Sequence, residues 1–377
     1  MTHFAISSVA SLGSLPILVN QRRRSGATAN EHYSQVYSRC SRWLAEPRVS
    51  GSFSLFIGSE AGEARSLDLK TMRCFVTGGG GFIGSRAARQ MVTEGWDVAV
   101  LAFPGESLWR IDDIRGRLQV LEAELSQVEV IADFLSSWRP ETCLHTAWYA
   151  EPGKYLEAAT NVDCMKESLS LLENLIASGC KNAVMLGSCA EYDSDPGFLK
   201  EDGPVRPATL YAAAKLATSL VAGKLAARGG VKLSWARMFY LFGPDEDPRR
   251  MVPAVINALL EHREFQATEG GQIRDYLHVD DAASALIALL REGASGVFNV
   301  CSGEPVTVRR IMQMIGEEIG CPELIHFGAI PYRNWEPPFI CGDSSRLRRL
   351  GWAPRLELRD SIHLTIEHWR SKLSGKI

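Results

Sequence analysis

The 377-residue chain has a formal net charge of −3 and 46% hydrophobic residues, a balance that gives no footing for a nucleic-acid or membrane-surface partner. No apolar run approaches the ~18 residues that a transmembrane helix needs, and the length suits two domains or one large α/β domain. Nine cysteines lie singly, with no C-x-x-C pair and no Cys/His spacing of a zinc site, which predicts reduced thiols in a cytoplasm and no metal.

Residues 1–71 show neither strand alternation nor a helical stripe. They are Ser-rich, hold Arg22, Arg23 and Arg24 together, and carry few acids before Glu46. An organelle transit peptide has that character, as does a disordered tail. The preferred reading is upstream sequence ahead of a later start at Met72, because the first clear strand follows at once. A secretory signal is disfavoured: serines interrupt the apolar stretch 4–19, and no basic segment precedes it.

From residue 73 the chain reads strand, glycine turn, helix, strand. Residues 73–76 are short and β-prone, and Gly78, Gly81 and Gly84 follow at G-x-x-G-x-x-G spacing. Glycine permits a positive φ in the tight turn and lets the backbone approach a pyrophosphate, while the last glycine lets the helix pack on its strand. Phe82 and Ile83 open a helix predicted over 82–94, whose N–H groups and positive dipole end suit an anion. Gly95 ends it, and "WDVAVLAF" is the second strand. In this context the triplet points to a dinucleotide.

"TGGGGFIGS" resembles the cofactor loop of the extended short-chain dehydrogenase/reductases, the NAD-dependent epimerases and dehydratases of nucleotide sugars. The similarity runs from about Met72 to the C-terminus. It implies a doubly wound parallel sheet (a Rossmann fold), with dinucleotide binding over 72–240. A smaller C-terminal α/β lobe over 241–377 would hold a nucleotide sugar, with some segments returning to the sheet. The cofactor is NAD or NADP. An acid at the end of the second strand would bind ribose hydroxyls and an arginine the 2′-phosphate, but Ala102 and Phe103 stand there, with Arg110 further on.

A third strand is predicted over 117–125, with Glu124 where the resemblance implies an acid facing the adenine. "ETCLHTAWYAEPGKY" is similar to the family's fourth-strand segment, and His145 is read as packing beside the cofactor rather than as an acid/base. Asn161 starts an amphipathic helix closed by Gly179 and is read as structural. In "KNAVMLGSCAEYDSD", the buried run 183–186 leads to Ser188 at the C-terminal end of a strand, where open α/β sheets place ligands. The resemblance makes Ser188 the hydroxyl that orients the substrate oxygen, with Tyr192 at the family's aromatic offset. Cys189 and Ala190 occupy the places where 4,6-dehydratases carry Asp and Glu, so elimination is disfavoured. Glu191, one place later, is expected to point to the opposite face, and Cys189 to pack.

In "ATLYAAAKLAT", Tyr211 and Lys215 are four residues apart, on one face of a helix. A nearby ammonium lowers a phenol pKa from about 10 toward the working range of a general base. The resemblance implies a catalytic set of Ser188, Tyr211 and Lys215, the last two also meeting the cofactor. The phenolate would take the C4 hydroxyl proton as hydride leaves, and Lys215 would hold the nicotinamide ribose.

Further on, Arg237, Gly243 and Pro244 match the family pattern, while Tyr240 and Phe242 replace its asparagine and tyrosine. Arg249 or Arg250 is expected to meet a diphosphate, and Arg274, in "RDYLHVDD", more strongly so. Asp280 and Thr307 are expected to cap the helices that follow them. These features predict NAD(P)-dependent oxidoreduction at C4 of a nucleotide-linked hexose, preferably a 4-keto-6-deoxyhexose reductase. A 4-epimerase, which needs the same three groups, comes next. A 4,6-dehydratase, a non-catalytic NAD(P)-binding protein and a reductase of a non-sugar carbonyl rank below. The resemblance also implies a homodimer through a four-helix contact.

Overall fold

The computed structural model describes residues 71–194, 197–333 and 336–375. Segment 1–70, and with it the transit-peptide, tail and late-start readings, lies outside the described residues. Seven parallel strands form the main sheet: β1 (Arg73–Thr77), β2 (Asp97–Ala102), β3 (Leu118–Glu122), β4 (Thr142–His145), β5 (Asn182–Ser188), β7 (Lys232–Met238) and β11 (Gly296–Val300). Their order is β11-β7-β5-β4-β1-β2-β3.

Both faces of the sheet are covered, so its strands are apolar almost without interruption and alternate residues feed two separate cores. Cys74, Val76, Val98, Val100, Leu144, Val184 and Leu186 pack on one side. They meet Ala87, Ala88 and Met91 of α1 (Phe82–Thr93), and Leu286, Leu289 and Leu290 of a helix over Val279–Glu292. Phe75, Ala99, Leu101, Cys143, Ala183 and Met185 face the other way. There they meet α2 (Val128–Trp138), α3 (Thr160–Ala177) and α4 (Leu210–Gly229) through Ile131, Leu135, Leu171, Leu172, Leu175, Ala222 and Ala226.

β3 is shorter than the sequence suggests. Residues Trp109–Arg117 form a 3-10 helix, and after Ala123 donates to the Ala102 carbonyl at 3.0 Å the chain leaves the ladder. Glu124 N–H then turns to Gln127 Oε1 at 2.9 Å.

The remaining strands are short. β8 (Tyr240–Phe242), β10 (Ile273–His278) and β12 (Pro305–Thr307) form one sheet, while β9 (Phe265–Ala267) pairs with β13 (Ile325–Phe327), and β6 (Phe198–Leu199) with β14 (Cys341–Gly342). A third core joins α5 (Met251–Leu260), α7 (Val308–Ile319) and α9 (Leu358–Leu373) through Val255, Ile256, Ile311, Ile315, Ile362 and Trp369. Between these run α6 (Val279–Glu292) and the single turn α8 (Ser345–Arg348). Thr307 caps α7, accepting from Arg310 N–H at 3.1 Å. Asp280 does not cap α6. The helix starts two residues sooner than expected, so His278 Nδ1 accepts from Asp280 N–H at 3.3 Å and Asp280 lies in the first turn, where its charge suits the helix dipole. No described helix is long and apolar enough to cross a membrane. No cluster of three His, Cys, Asp or Glu side chains among the described residues is placed to hold a metal ion.

Candidate active site

The glycine turn forms a tight cradle. Gly78 has φ +67°, and a Cβ there would stand 2.7 Å from Thr146 Oγ1; at Gly84 a Cβ would stand 2.2 Å from the Gly78 carbonyl oxygen. No side chain takes the first-turn N–H groups of α1, and no acid sits in that turn, which Phe82 and Ile83 begin after Gly81. Backbone donors with no side-chain cap and no acid in their turn, walled by positions that only glycine can fill, fit a pyrophosphate.

Past β2, the expected cofactor-reading positions point elsewhere: Ala102 is buried and Phe103 is 58% exposed. The acid at this edge is Glu106. Its Oε2 accepts from Phe103 N–H at 3.1 Å, and its Oε1 lies 2.5 Å from where a Gly80 Cβ would be. Sequence reading passed over it, although an acid about twenty residues beyond the glycines was the available signal. Arg110 does not reach outward. It donates to the carbonyls of Gly80 (3.2 Å) and Asp245 (3.0 Å) and straps the cradle to a distant turn. Glu124 lies just past β3, exposed, and accepts from Ser126 Oγ at 3.1 Å.

Ser188, Tyr211 and Lys215 come together. Ser188 ends β5, and its Oγ accepts from Ala190 N–H at 3.2 Å. Thr209 caps α4, accepting from Ala212 N–H at 3.2 Å, which sets Tyr211 in the first turn and Lys215 one turn on. Burial pushes the Tyr211 phenol above its ordinary pKa, and the hydrogen-bonded Ser188 hydroxyl opposes that rise. The lysine was expected to do this work. Instead its ammonium donates to the Leu186 carbonyl at 2.7 Å and rests 3.6 Å from the centre of the Trp148 ring, with the Tyr211 ring centre 5.9 Å away. Burial brings the Lys215 pKa down to about 7, with the charges of Glu191 and Cys164 acting against it.

Trp148 is a site residue that the sequence did not single out. Its indole N–H donates to Asn161 Oδ1 at 2.9 Å, and Asn161 Nδ2 donates to the carbonyls of Tyr155 (2.6 Å) and Ala158 (2.9 Å). Asn161 thereby staples the loop between β4 and α3 against the site, with Tyr155 edge-on to Tyr211 at 4.9 Å. Its helix-start position was legible; the indole it holds was not. His145 links Thr77 Oγ1 (2.7 Å) to Ser168 Oγ (2.8 Å), and burial lowers its pKa to about 3. A neutral ring so held is part of the scaffold.

Glu191 does not point away as expected, because the strand gives way to a 3-10 turn at residues 189–191. Its fully buried carboxylate lies beneath the end of β5, paired with Arg237 at 2.8 Å. Cys189 is half-buried and its thiol is pushed up to about 12, chiefly by burial.

On β10, Arg274 is 1% exposed. It donates to Glu336 Oε1 at 2.7 Å and to the Ile273 carbonyl at 2.8 Å, with its guanidinium 5.3 Å from the Tyr240 ring centre. Arg249 is exposed and is not an open fork for phosphate: Asp247 takes it at 2.7 and 3.0 Å, and Glu151 stands at 3.6 Å. Arg250 leans over Tyr155 at 5.5 Å.

Comparison with known proteins supports what this geometry suggests. Residues 74–301 match the NAD dependent epimerase/dehydratase family. The UDP-glucose 4-epimerase of Corynebacterium glutamicum is 27% identical over 305 residues, which cover 75% of this chain and 91% of that protein. The crystal structure of the Thermotoga maritima UDP-glucose 4-epimerase with UDP-glucose superposes with a TM-score of 0.72 at 26% identity, covering 80% of this chain and all of that one. MoeE5 in complex with UDP-glucose and NAD gives 0.67 at 26% identity over 80% and 99% of the two chains. The chain belongs to the NAD dependent epimerase/dehydratase family and is an NAD-dependent enzyme of that nucleotide-sugar group.

Proposed function

We propose that this enzyme performs oxidoreduction at C4 of a nucleotide-linked hexose, first of all as a 4-epimerase. The observation that carries the reading is the Ser188–Tyr211–Lys215 cluster at the end of β5, with no acid/base pair following Ser188. Bound NAD supplies a hydride acceptor that can also return the hydride. Gly78, Gly81, Phe82, Ile83 and Gly84 hold its pyrophosphate, Glu106 the adenosine ribose and Glu124 the adenine edge. Tyr211 takes the proton of the C4 hydroxyl and returns one to the keto oxygen. Ser188 orients that oxygen, and Lys215 stands at the nicotinamide ribose.

Arg274 and Arg249 serve the diphosphate in the smaller lobe, which requires Glu336 and Asp247 to give way. Elimination is set aside, because Ala190, at the place of the base, moves no proton, and the Cys189 thiol, at about 12, is too weak an acid to protonate a leaving hydroxyl at neutral pH. Similarity to proteins named UDP-glucose 4-epimerase supports placing epimerisation first.

Reduction of a 4-keto-6-deoxyhexose is the second reading, favoured by one feature. Tyr155 and Trp148 close on Tyr211 at 4.9 and 6.4 Å, whereas an epimerase must let the ketone present both faces. Incubating the enzyme with UDP-glucose and no added reductant, and separately with a 4-keto-6-deoxy sugar nucleotide and NADH, separates them. Formation of the 4-epimer without net cofactor consumption supports the first reading. Stoichiometric NADH oxidation in the second arm alone replaces it with the reductase, and inactivity in both arms across a panel of nucleotide sugars overturns both. We further propose a homodimer through α3 and α4, since Leu220 and Val221 are 65% and 45% exposed on α4, and a cytoplasmic setting, in keeping with eight unpaired thiols among the described residues.

A further inference from the structure

We infer that Glu191 is a positioning residue of this site: a buried, charged carboxylate that fixes Ser188 in place and sets the electrostatic field at Tyr211 and Lys215. The inference rests on the roles proposed above for those three groups.

Its geometry is that of a built feature. The Glu191 carboxylate accepts from Ser188 N–H at 2.7 Å, from Trp235 Nε1 at 3.0 Å and from Arg237 Nε at 2.8 Å. In return Ser188 Oγ accepts from Ala190 N–H, so the two side chains cap one turn reciprocally. Gly187 makes the arrangement possible, since a Cβ there would stand 2.6 Å from Glu191 Oε1 and 2.2 Å from Trp235 Nε1. The Ser188 hydroxyl therefore reaches Tyr211 from a backbone held by Glu191.

Arg237 is buried as deeply. Its guanidinium lies 4.2 Å from the Tyr192 ring centre, and the Tyr192 hydroxyl donates to Asn299 Oδ1 at 2.6 Å. Taking such a pair out of water costs several kcal/mol per ion, and apolar residues of similar volume often replace one without loss of stability. Stability alone therefore does not account for a desolvated carboxylate one turn beyond Ser188.

The surrounding charges show what it does. Lys215 is faced by Glu191 from the end of β5, by Cys164 from α3 and by His145 from β4; after burial, the Glu191 charge is the largest influence on it and acts to raise its pKa. Tyr211 is faced by Ser188, Tyr155, Cys189 and Glu191, and the carboxylate resists ionisation of the phenol. Removing one negative charge thus lowers both pKa values. Lys215 then loses its proton at lower pH, and Tyr211 ionises at lower pH.

Glu191→Gln keeps the volume and the acceptor. The charge-balanced double variant Glu191→Gln/Arg237→Gln guards against misfolding from an unpaired arginine. In lysine labelled with 15N at Nζ, with Lys215 assigned by its loss in Lys215→Met, the titration midpoint should fall by about one unit from its value near 7 in Glu191→Gln, and by less in the double variant, where loss of the Arg237 charge acts the other way. Both limbs of the kcat/KM–pH profile should move toward lower pH by a similar amount. An unmoved midpoint in Glu191→Gln overturns the inference, as does a loss of activity with unshifted limbs in that variant, the outcome of a purely structural role. If the wild-type enzyme turns over no nucleotide sugar, the function proposed above fails, and the midpoint alone still decides the role of Glu191.

Discussion

Lys215 stands between opposing demands. Burial strips water from its ammonium, while the Leu186 carbonyl, the Trp148 face and the Glu191 charge partly replace that water. The Tyr-x-x-x-Lys spacing was legible because helical periodicity is local. Trp148 and Glu191 were not, because their roles come from contacts made across the fold. Removing the Tyr211 hydroxyl (Tyr211→Phe) should lower kcat about 10²–10⁴-fold while calorimetry finds NAD binding intact; a variant that keeps wild-type kcat would remove the phenol from the chemistry. Glu106 was likewise obscured, since the chain folds it back onto Gly80 from a loop. A carboxylate on a ribose diol repels a 2′-phosphate. Glu106→Ser should therefore shrink the NADH-over-NADPH preference in Kd by tenfold or more, as for a charged hydrogen bond worth about 1.5–3 kcal/mol. An unchanged ratio would point to another residue.

Among elements, the strands of the main sheet were the most legible, because burial on both faces leaves continuous apolar runs that few helices imitate. Their ends were not. β3 stops early where Gln127 captures the Glu124 N–H, and α6 is capped by a ring nitrogen of His278, a residue outside the usual N-cap set. The two-residue strands β6 and β14 have no local signature, since each exists only through the other. The loop between β4 and α3 holds no regular ladder of its own, and Asn161 gives it shape. Asn161→Ala removes three hydrogen bonds and leaves the Trp148 indole without its acceptor. The cost should be about 2–4 kcal/mol, visible as a lower urea midpoint and faster proteolysis within 147–158. A midpoint equal to wild type would mean that packing alone holds the loop.

For the whole molecule, the doubly wound sheet could be anticipated from alternating strands and helices with a glycine fingerprint, whereas the assembly state had no such signal. α4 carries apolar residues around its whole circumference. One side meets the sheet, and Leu220 and Val221 face outward. If α4 pairs with a second copy, Leu220→Lys should yield monomers in sedimentation velocity at concentrations where the wild type is dimeric; a wild type that sediments as a monomer would dismiss the pairing. The strand order has a further consequence during synthesis. β7 pairs with β5 as soon as both exist, but its outer edge waits for β11, about sixty residues downstream. At about 5–20 residues per second the ribosome leaves that edge bare for several seconds. The nascent chain must pass this interval with an unpaired, apolar strand open to its neighbours, which makes translation speed between β7 and β11 a determinant of yield.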